Sequence, residues 1–168
     1  MPNARLNELI ARLDFARAYN LKFVEGISET DWYRFAEGNV THLAWQFGHL
    51  AVAEYRLIMG RVVGEERATC EILPSSYSEL FGKGSIPREV TGEHPRRDEL
   101  LTVLSAVHQE VKDLLPTVPE SVLAEASLPE HSAFQTKLEV VRWCVEHEFI
   151  HSGQIALLRR QLGYASLR

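Results

Sequence analysis

Hydrophobic positions recur at three- and four-residue spacing in four stretches of the chain, and each stretch predicts a helix. The first runs from about Asn3 to Ile27, with Leu6, Leu9, Ile10, Leu13, Ala16, Asn20, Val24 and Ile27 on one face. Ser28-Glu29-Thr30-Asp31 then reads as a turn or a short capped helix. The second helix opens near Asn39, a favourable N-cap, and continues through His49 to Gly60 or Val62. The third spans about Arg96 to Val118, with Leu100, Leu104, Val107, Val111, Leu114 and Val118 inward. Thr136-Lys137-Leu138-Glu139 has the form of a capping box that opens the fourth, and Gly163 is placed to end it. Pro, Gly and Ser cluster between residues 64 and 95, which predicts a long connection with at most a short helical turn. A Pro-rich link joins the third and fourth helices, and no sustained period-2 segment or repeat appears. The pattern predicts one all-α domain over residues 1–168, a four-helix bundle with a long crossover loop between the second and third helices.

Composition narrows the class. A chain of 168 residues buries about two-thirds of its unfolded surface, so it needs no staples. Its content, 45% hydrophobic and 24% charged, is that of a soluble globular domain. A net charge of −5 argues against a nucleic-acid partner, which calls for a basic face. No run of about 20 apolar residues is present to span a bilayer, and Met1-Pro2-Asn3-Ala4-Arg5-Leu6 carries no apolar signal core. Cys70 and Cys144 make no disulfide framework, so a reducing, cytoplasmic setting is expected.

The chemistry concentrates in Glu146-His147-Glu148-Phe149-Ile150-His151. Two histidines four residues apart stand one above the other on a helix face and can chelate one transition-metal ion. That face also carries Val140, Trp143, Cys144, Gln154, Ile155 and Leu158, so an apolar stripe gives three successive turns to His, His and Gln. His147-Glu148-x-x-His151 matches the zinc-protease signature, but such enzymes take a third ligand from beyond the motif. No His, Asp, Glu or Cys follows His151, which removes the peptidase reading. The third ligand must come from upstream, and His49 is the best candidate, with Gly48 and Ala51-Val52-Ala53 small enough for another helix to approach. His42 lies seven residues earlier, about 10.5 Å along the helix, and is expected to face solvent outside the site. A di-iron carboxylate centre would need two Glu-x-x-His pairs, and only Glu148–His151 fits.

Taken together, the N-x-x-x-L-A-W-x-x-G-H-L-A helix over Asn39–Ala53, the L-F-G-K-G-S loop and the H-E-x-x-H-x-G-Q-I helix ending at Gly163 resemble the DinB/YfiT-like superfamily. The resemblance implies a four-helix fold with a metal-binding triad, which by position is His49, His147 and His151. It also implies a range of reactions, since relatives include S-transferases and isomerases dependent on mycothiol, bacillithiol or glutathione.

Three imidazoles leave an open position, the arrangement of catalytic rather than structural zinc sites. Water or a thiol placed there becomes a nucleophile at neutral pH. The expected cofactor is a divalent transition metal, zinc first and Ni, Fe or Mn as alternatives, with a low-molecular-weight thiol whose carboxylates would want cations such as Arg56, Lys83, Arg159 or Arg160. Trp45 and Gln154 are candidate cofactor-binding residues, Glu148 a candidate catalytic base or else a surface carboxylate, and Cys144 a buried small hydrophobe before it is a ligand. Gly82-Lys83-Gly84-Ser85 lacks the remaining features of a phosphate loop and is set aside. Two functions follow: a metal-dependent transferase or hydrolase acting on a small molecule, or a non-catalytic metal- or ligand-binding protein related to stress. Phe149 and Ala156 lie opposite the histidines, which suggests a helix-mediated homodimer.

Overall fold

Helix α1 (Ala4–Lys22) begins where the Asn3 side chain accepts from the Leu6 N–H at 3.1 Å. A computed structural model describes residues 3–38, 40–67, 72–89, 92 and 94–167. Helix α2 (Leu43–Glu54) runs on without a break into a π-helical segment, Tyr55–Val63. Its N-cap is His42, whose Nδ1 accepts from the Trp45 N–H at 3.1 Å; the expected cap, Asn39, lies outside the described residues. Helix α3 (Ser75–Phe81) sits in the long connection, and α4 (Arg97–Leu114) follows it. A short α5 (Glu120–Leu123) and a two-stranded antiparallel hairpin, β1 (Ala126–His131) and β2 (Phe134–Thr136), lead into α6 (Lys137–Gln161). The capping box is formed: Thr136 Oγ1 accepts from the Glu139 N–H at 3.3 Å, and the Glu139 carboxylate accepts from the Thr136 N–H at 3.1 Å. No helix among the described residues is long and apolar enough to cross a membrane.

The four long helical pieces that the periodicity predicts pack with α1 along α6 and α2 against α4, and the π segment also lies against α6. The differences are local. α1 ends at Lys22 because the chain turns there, although Val24 and Ile27 still reach the core. The hairpin replaces what the sequence shows as a loop. Its first strand, Ala126-Ser-Leu-Pro-Glu-His131, hides only Ser127, so it carries no alternation to detect. Phe149 and Ala156 are half-buried, Phe149 beside Phe15 and under the Arg12 guanidinium, so the expected bare face is partly covered by α1.

The core divides into two apolar clusters. One holds Trp32, Phe47, Leu50, Phe81, Leu104 and Ile155; the other holds Leu13, Ile58, Val111, Leu115, Val140 and Cys144. Between them, every long helix contributes a polar residue. Arg17 of α1 donates to Glu54 of α2 at 2.8 Å and to Glu148 of α6 at 2.5 Å, and its third bond goes to the Leu104 carbonyl of α4. His108 of α4 faces Glu54 at 2.8 Å and Asp14 at 3.1 Å. Burial works against the charge on Glu54, but Arg17 and then the His108 hydrogen bond outweigh it and hold its carboxyl below the usual range.

Removing one partner of such a layer strands the others away from water. Arg17→Met leaves two buried carboxylates without their shared cation, Glu54 with His108 and Glu148 with Asn20 as remaining side-chain partners, and stability is expected to fall by about 3–5 kcal/mol in urea unfolding. A loss under about 1 kcal/mol would show that the layer is not a structural element.

Candidate metal centre

His147 and His151 project from α6 toward α2, one turn apart, with their Nε2 atoms 3.2 Å from each other. His49 comes from the middle of α2, and its ring centroid lies 5.3 Å from that of His147 and 5.0 Å from that of His151. One ligand atom from each of the three lies within 4.8 Å of the others. Two nitrogens bound tetrahedrally to zinc stand ~3.3 Å apart, so the His147–His151 pair already has that spacing.

Two rings are held by their other nitrogen. His49 Nδ1 donates to the Phe81 carbonyl at 2.7 Å. His151 Nδ1 donates to Gln46 Oε1 at 2.5 Å, and Gln46 in turn donates from Nε2 to Gln154 Oε1 at 2.9 Å and to Thr41 Oγ1 at 3.1 Å. With the Gln46 amide nitrogen on Gln154 Oε1 and Thr41 Oγ1, its oxygen is the atom that faces His151. With Nδ1 carrying the proton in both rings, the Nε2 lone pairs of His49 and His151 are free to bind an ion. Burial lowers all three imidazole pKa values, aided by the neighbouring rings for His151 and by His49 for His147. His147 falls to about 4 and His151 to about 3. For His49 the lowering by burial is helped by the charge of Arg56. Three neutral imidazoles with converging lone pairs fit a divalent transition metal.

Local sequence explains the close approach. A Cβ at Gly48 would overlap the Phe81 ring, so glycine there lets α3 press against α2 and bring the Phe81 carbonyl to His49. Trp45, one turn earlier, stacks on the His49 ring at 4.7 Å and donates from Nε1 to Ser85 Oγ at 2.9 Å.

The remaining candidates stand elsewhere. Trp45 lines a separate cavity of about 160 Å³ with Glu79, Ser85 and His94, and Gln154 reaches the triad only through Gln46. Glu148 is neither at the surface nor aimed at the triad. It is 1% exposed, with both oxygens bonded to Arg17 and one also to Asn20 at 2.8 Å, which leaves it a structural rather than a basic role. His42, expected to face water, is 1% exposed and is taken up by the Trp45 N–H and the Arg88 carbonyl. Cys144 is buried, and burial raises its thiol pKa well above the ordinary value, so it stays protonated. Cys70 lies outside the described residues.

The open side of the site is a cavity of about 390 Å³ lined by His49, His147, Val52, Leu57, Phe134 and Trp143, together with Arg56, Arg61 and Lys83. Of the cations expected near a pocket, Arg56 and Lys83 are there. Arg159 instead ties the C-terminal turn to the end of α1 through the Ala165 and Phe23 carbonyls, and Arg160 does not line the cavity. Gln46, Arg61 and the cavity-lining His131 carry no role in the sequence reading. Gln46 had a visible signal, being the one amide in the apolar run Leu43–Leu50. Arg61 had none, because only π winding brings it one turn below Arg56; in an α-helix residues five apart diverge by about 140°.

The model of the DinB superfamily matches residues 12–155, a span that includes all three histidines. No curated protein matches the chain significantly.

Gln46→Leu removes the acceptor that orients His151. Zinc affinity, measured by competition with a chromogenic chelator, is expected to drop about 10–100-fold with the fold retained. An unchanged affinity would mean that the ring is held by packing alone. A second expectation concerns acid. His42, His147 and His151 titrate near 4, 4 and 3 when folded and His49 is also lowered, against about 6.5 when unfolded. The unfolded chain therefore binds more protons below pH 6.5, so metal-free stability is full above that pH and falls from about 6.5 toward 4, by up to about 1.4 kcal/mol per histidine per unit. Denaturant midpoints that stay flat from pH 7 to 5 would contradict the burial of these rings.

Proposed function

The chain belongs to the DinB superfamily, and we propose that it is a metal-dependent enzyme of the thiol-transfer type acting on a small molecule. His49, His147 and His151 would hold a divalent transition metal, with zinc the best match to three neutral imidazoles. When bound, such an ion lowers the pKa of a thiol beside it, so that the thiolate is available at neutral pH.

The observation that carries this reading is that His49 and His147 also line the 390 Å³ cavity, a volume within the range of small-molecule sites. Val52, Ala53, Leu57, Phe134 and Trp143 give it an apolar wall that excludes water from the reacting end. Arg56, Arg61 and Lys83 make its potential positive, which favours a thiolate over a thiol and attracts the carboxylates of a low-molecular-weight thiol. Gln46 and the Phe81 carbonyl keep the His151 and His49 rings from turning as a ligand enters. Thiol transfer is favoured over hydrolysis because the described lining residues include no Asp or Glu to take a proton from water, and Glu148 is committed to Arg17. A reducing, cytoplasmic compartment suits this chemistry, since it keeps the thiol reduced.

The test is consumption of mycothiol, bacillithiol or glutathione with a small electrophile by zinc-loaded protein. One thiol is expected to react in a metal-dependent manner, and His49→Ala or His147→Ala should lower the rate by more than about 100-fold, beyond the ~10–100-fold typical of a residue that only orients a ligand. Metal that binds and raises the melting temperature while no thiol is consumed would replace this reading with a non-catalytic metal-binding role.

A further inference from the structure

Arg56 and Lys83 both line the cavity beside the triad. Neither makes a hydrogen bond or ion pair with any described residue, whereas Arg61 donates to Ser127 Oγ at 3.2 Å and to the Pro129 carbonyl at 2.8 Å. They also lie close together. The Arg56 guanidinium comes within 3.4 Å of where a Cβ on Gly82 would stand, and Lys83 is the next residue. Exposed lone cations are ordinary on a convex surface, but these line a concavity with a third cation and no carboxylate among its described residues. Both are exposed to water, which screens them, but like charges gathered at one cavity still repel one another, and an anion between them relieves that cost.

The opposite wall carries a hydrogen-bond donor. His131, at the end of β1, lines the cavity with its ring stacked on Phe134 at 4.3 Å and 6°. Its Nδ1 accepts from the Ala133 N–H at 3.1 Å, so the neutral ring carries its proton on Nε2. No described residue takes that donor. The hairpin thus presents an N–H in a fixed tautomer, and the half-buried Trp143 beside it offers an aromatic face, whereas the Phe134 ring is already covered by His131 and by the Arg61 guanidinium at 5.1 Å.

We propose that this cavity is a subsite for a small organic anion, a carboxylate or phosphate on a flat apolar body, with the anionic group held by Arg56 and Lys83, the body laid against Trp143, and a polar edge bonded by His131 Nε2–H. This rests on reading the cavity as the substrate side of the triad, but the binding does not require the metal. The subsite defines the substrate class as anionic and planar. It gives the hairpin a role in recognition that no periodicity in its sequence announces.

The test is calorimetric titration of phenyl phosphate, benzoate and neutral benzyl alcohol into the full-length protein, zinc-loaded and chelator-treated, with imidazole signals followed by NMR. Both anions are expected to bind in both states and to shift the His131 signals, with benzyl alcohol at least about tenfold weaker. Arg56→Gln combined with Lys83→Gln should weaken both anions by about tenfold or more while leaving the melting temperature of the chelator-treated protein unchanged. His131→Phe keeps the stack on Phe134 but removes the Nε2 donor together with the Nδ1 acceptor of the Ala133 N–H, so with the melting temperature checked alongside it should weaken binding about three- to tenfold. Equal binding of benzyl alcohol and the anions, anion binding that survives the double substitution, or anions that bind only with zinc would each overturn the proposal. Anion binding in a protein that consumes no thiol would defeat the transfer reading and leave this one standing; thiol turnover without anion binding would do the reverse.

Discussion

The rotation of α6 about its own axis is the constraint on which the site depends, and the buried Arg17–Glu148 pair sets it. Successive side chains on a helix point about 100° apart. Glu148 is drawn to α1 by Arg17 and Asn20, and Ser152, one turn on, donates to Asn20 Oδ1 at 2.6 Å. His147 and His151 each precede one of these residues, so they are turned toward α2, where His49 and Gln46 meet them. Turning α6 by one residue would strand a buried carboxylate, which costs far more than any gain from repacking. The ion layer is therefore a register device, and the histidine geometry follows from it.

The facing wall is built with similar economy of parts. Gly48 admits the Phe81 ring, and the Phe81 carbonyl fixes the His49 ring, so the long connection supplies the support for a residue on α2. Beyond Glu54 the change to π winding re-phases the helix. Glu54 is buried against Arg17, while Arg56, Leu57 and Arg61 reach the cavity. The segment ends with the Gly64 N–H on the Met59 carbonyl at 2.8 Å, a five-residue step, and Gly64 leaves it at φ +101, where a side chain would be strained. π segments recur at functional sites for this reason, since they move side chains that an α-helix would place elsewhere.

Much of this was legible in the sequence where one helix carries the information. The His147–His151 pair needs only helical spacing, and the Thr136 capping box needs only four residues. The bundle and its family follow from periodicity and from the motifs on α2 and α6. What was not legible depends on partners far apart in the chain. Nothing in the local sequence marks Arg17, Glu54, His108 or Glu148 as interior, and only the packing of four helices shows them to be so. By helical spacing alone Glu148 is a surface carboxylate or a base and His42 an exposed residue, whereas the fold makes one a buried ion-pair partner and the other a buried cap. His131 and Arg61 enter the cavity through a hairpin without alternation and a helix with abnormal winding, and neither leaves a pattern for the eye to find.

The central claim is that three imidazoles, and nothing else from the chain, hold one ion at the mouth of the cavity. X-ray absorption at the zinc edge of the loaded protein measures this directly. In protein free of added thiol, the account predicts three imidazole nitrogens at ~2.0–2.1 Å, an oxygen from solvent completing the shell, and no sulfur. A shell with sulfur at ~2.3 Å under those conditions, which would place a cysteine of the chain on the metal, or one with fewer than three imidazoles, would contradict it.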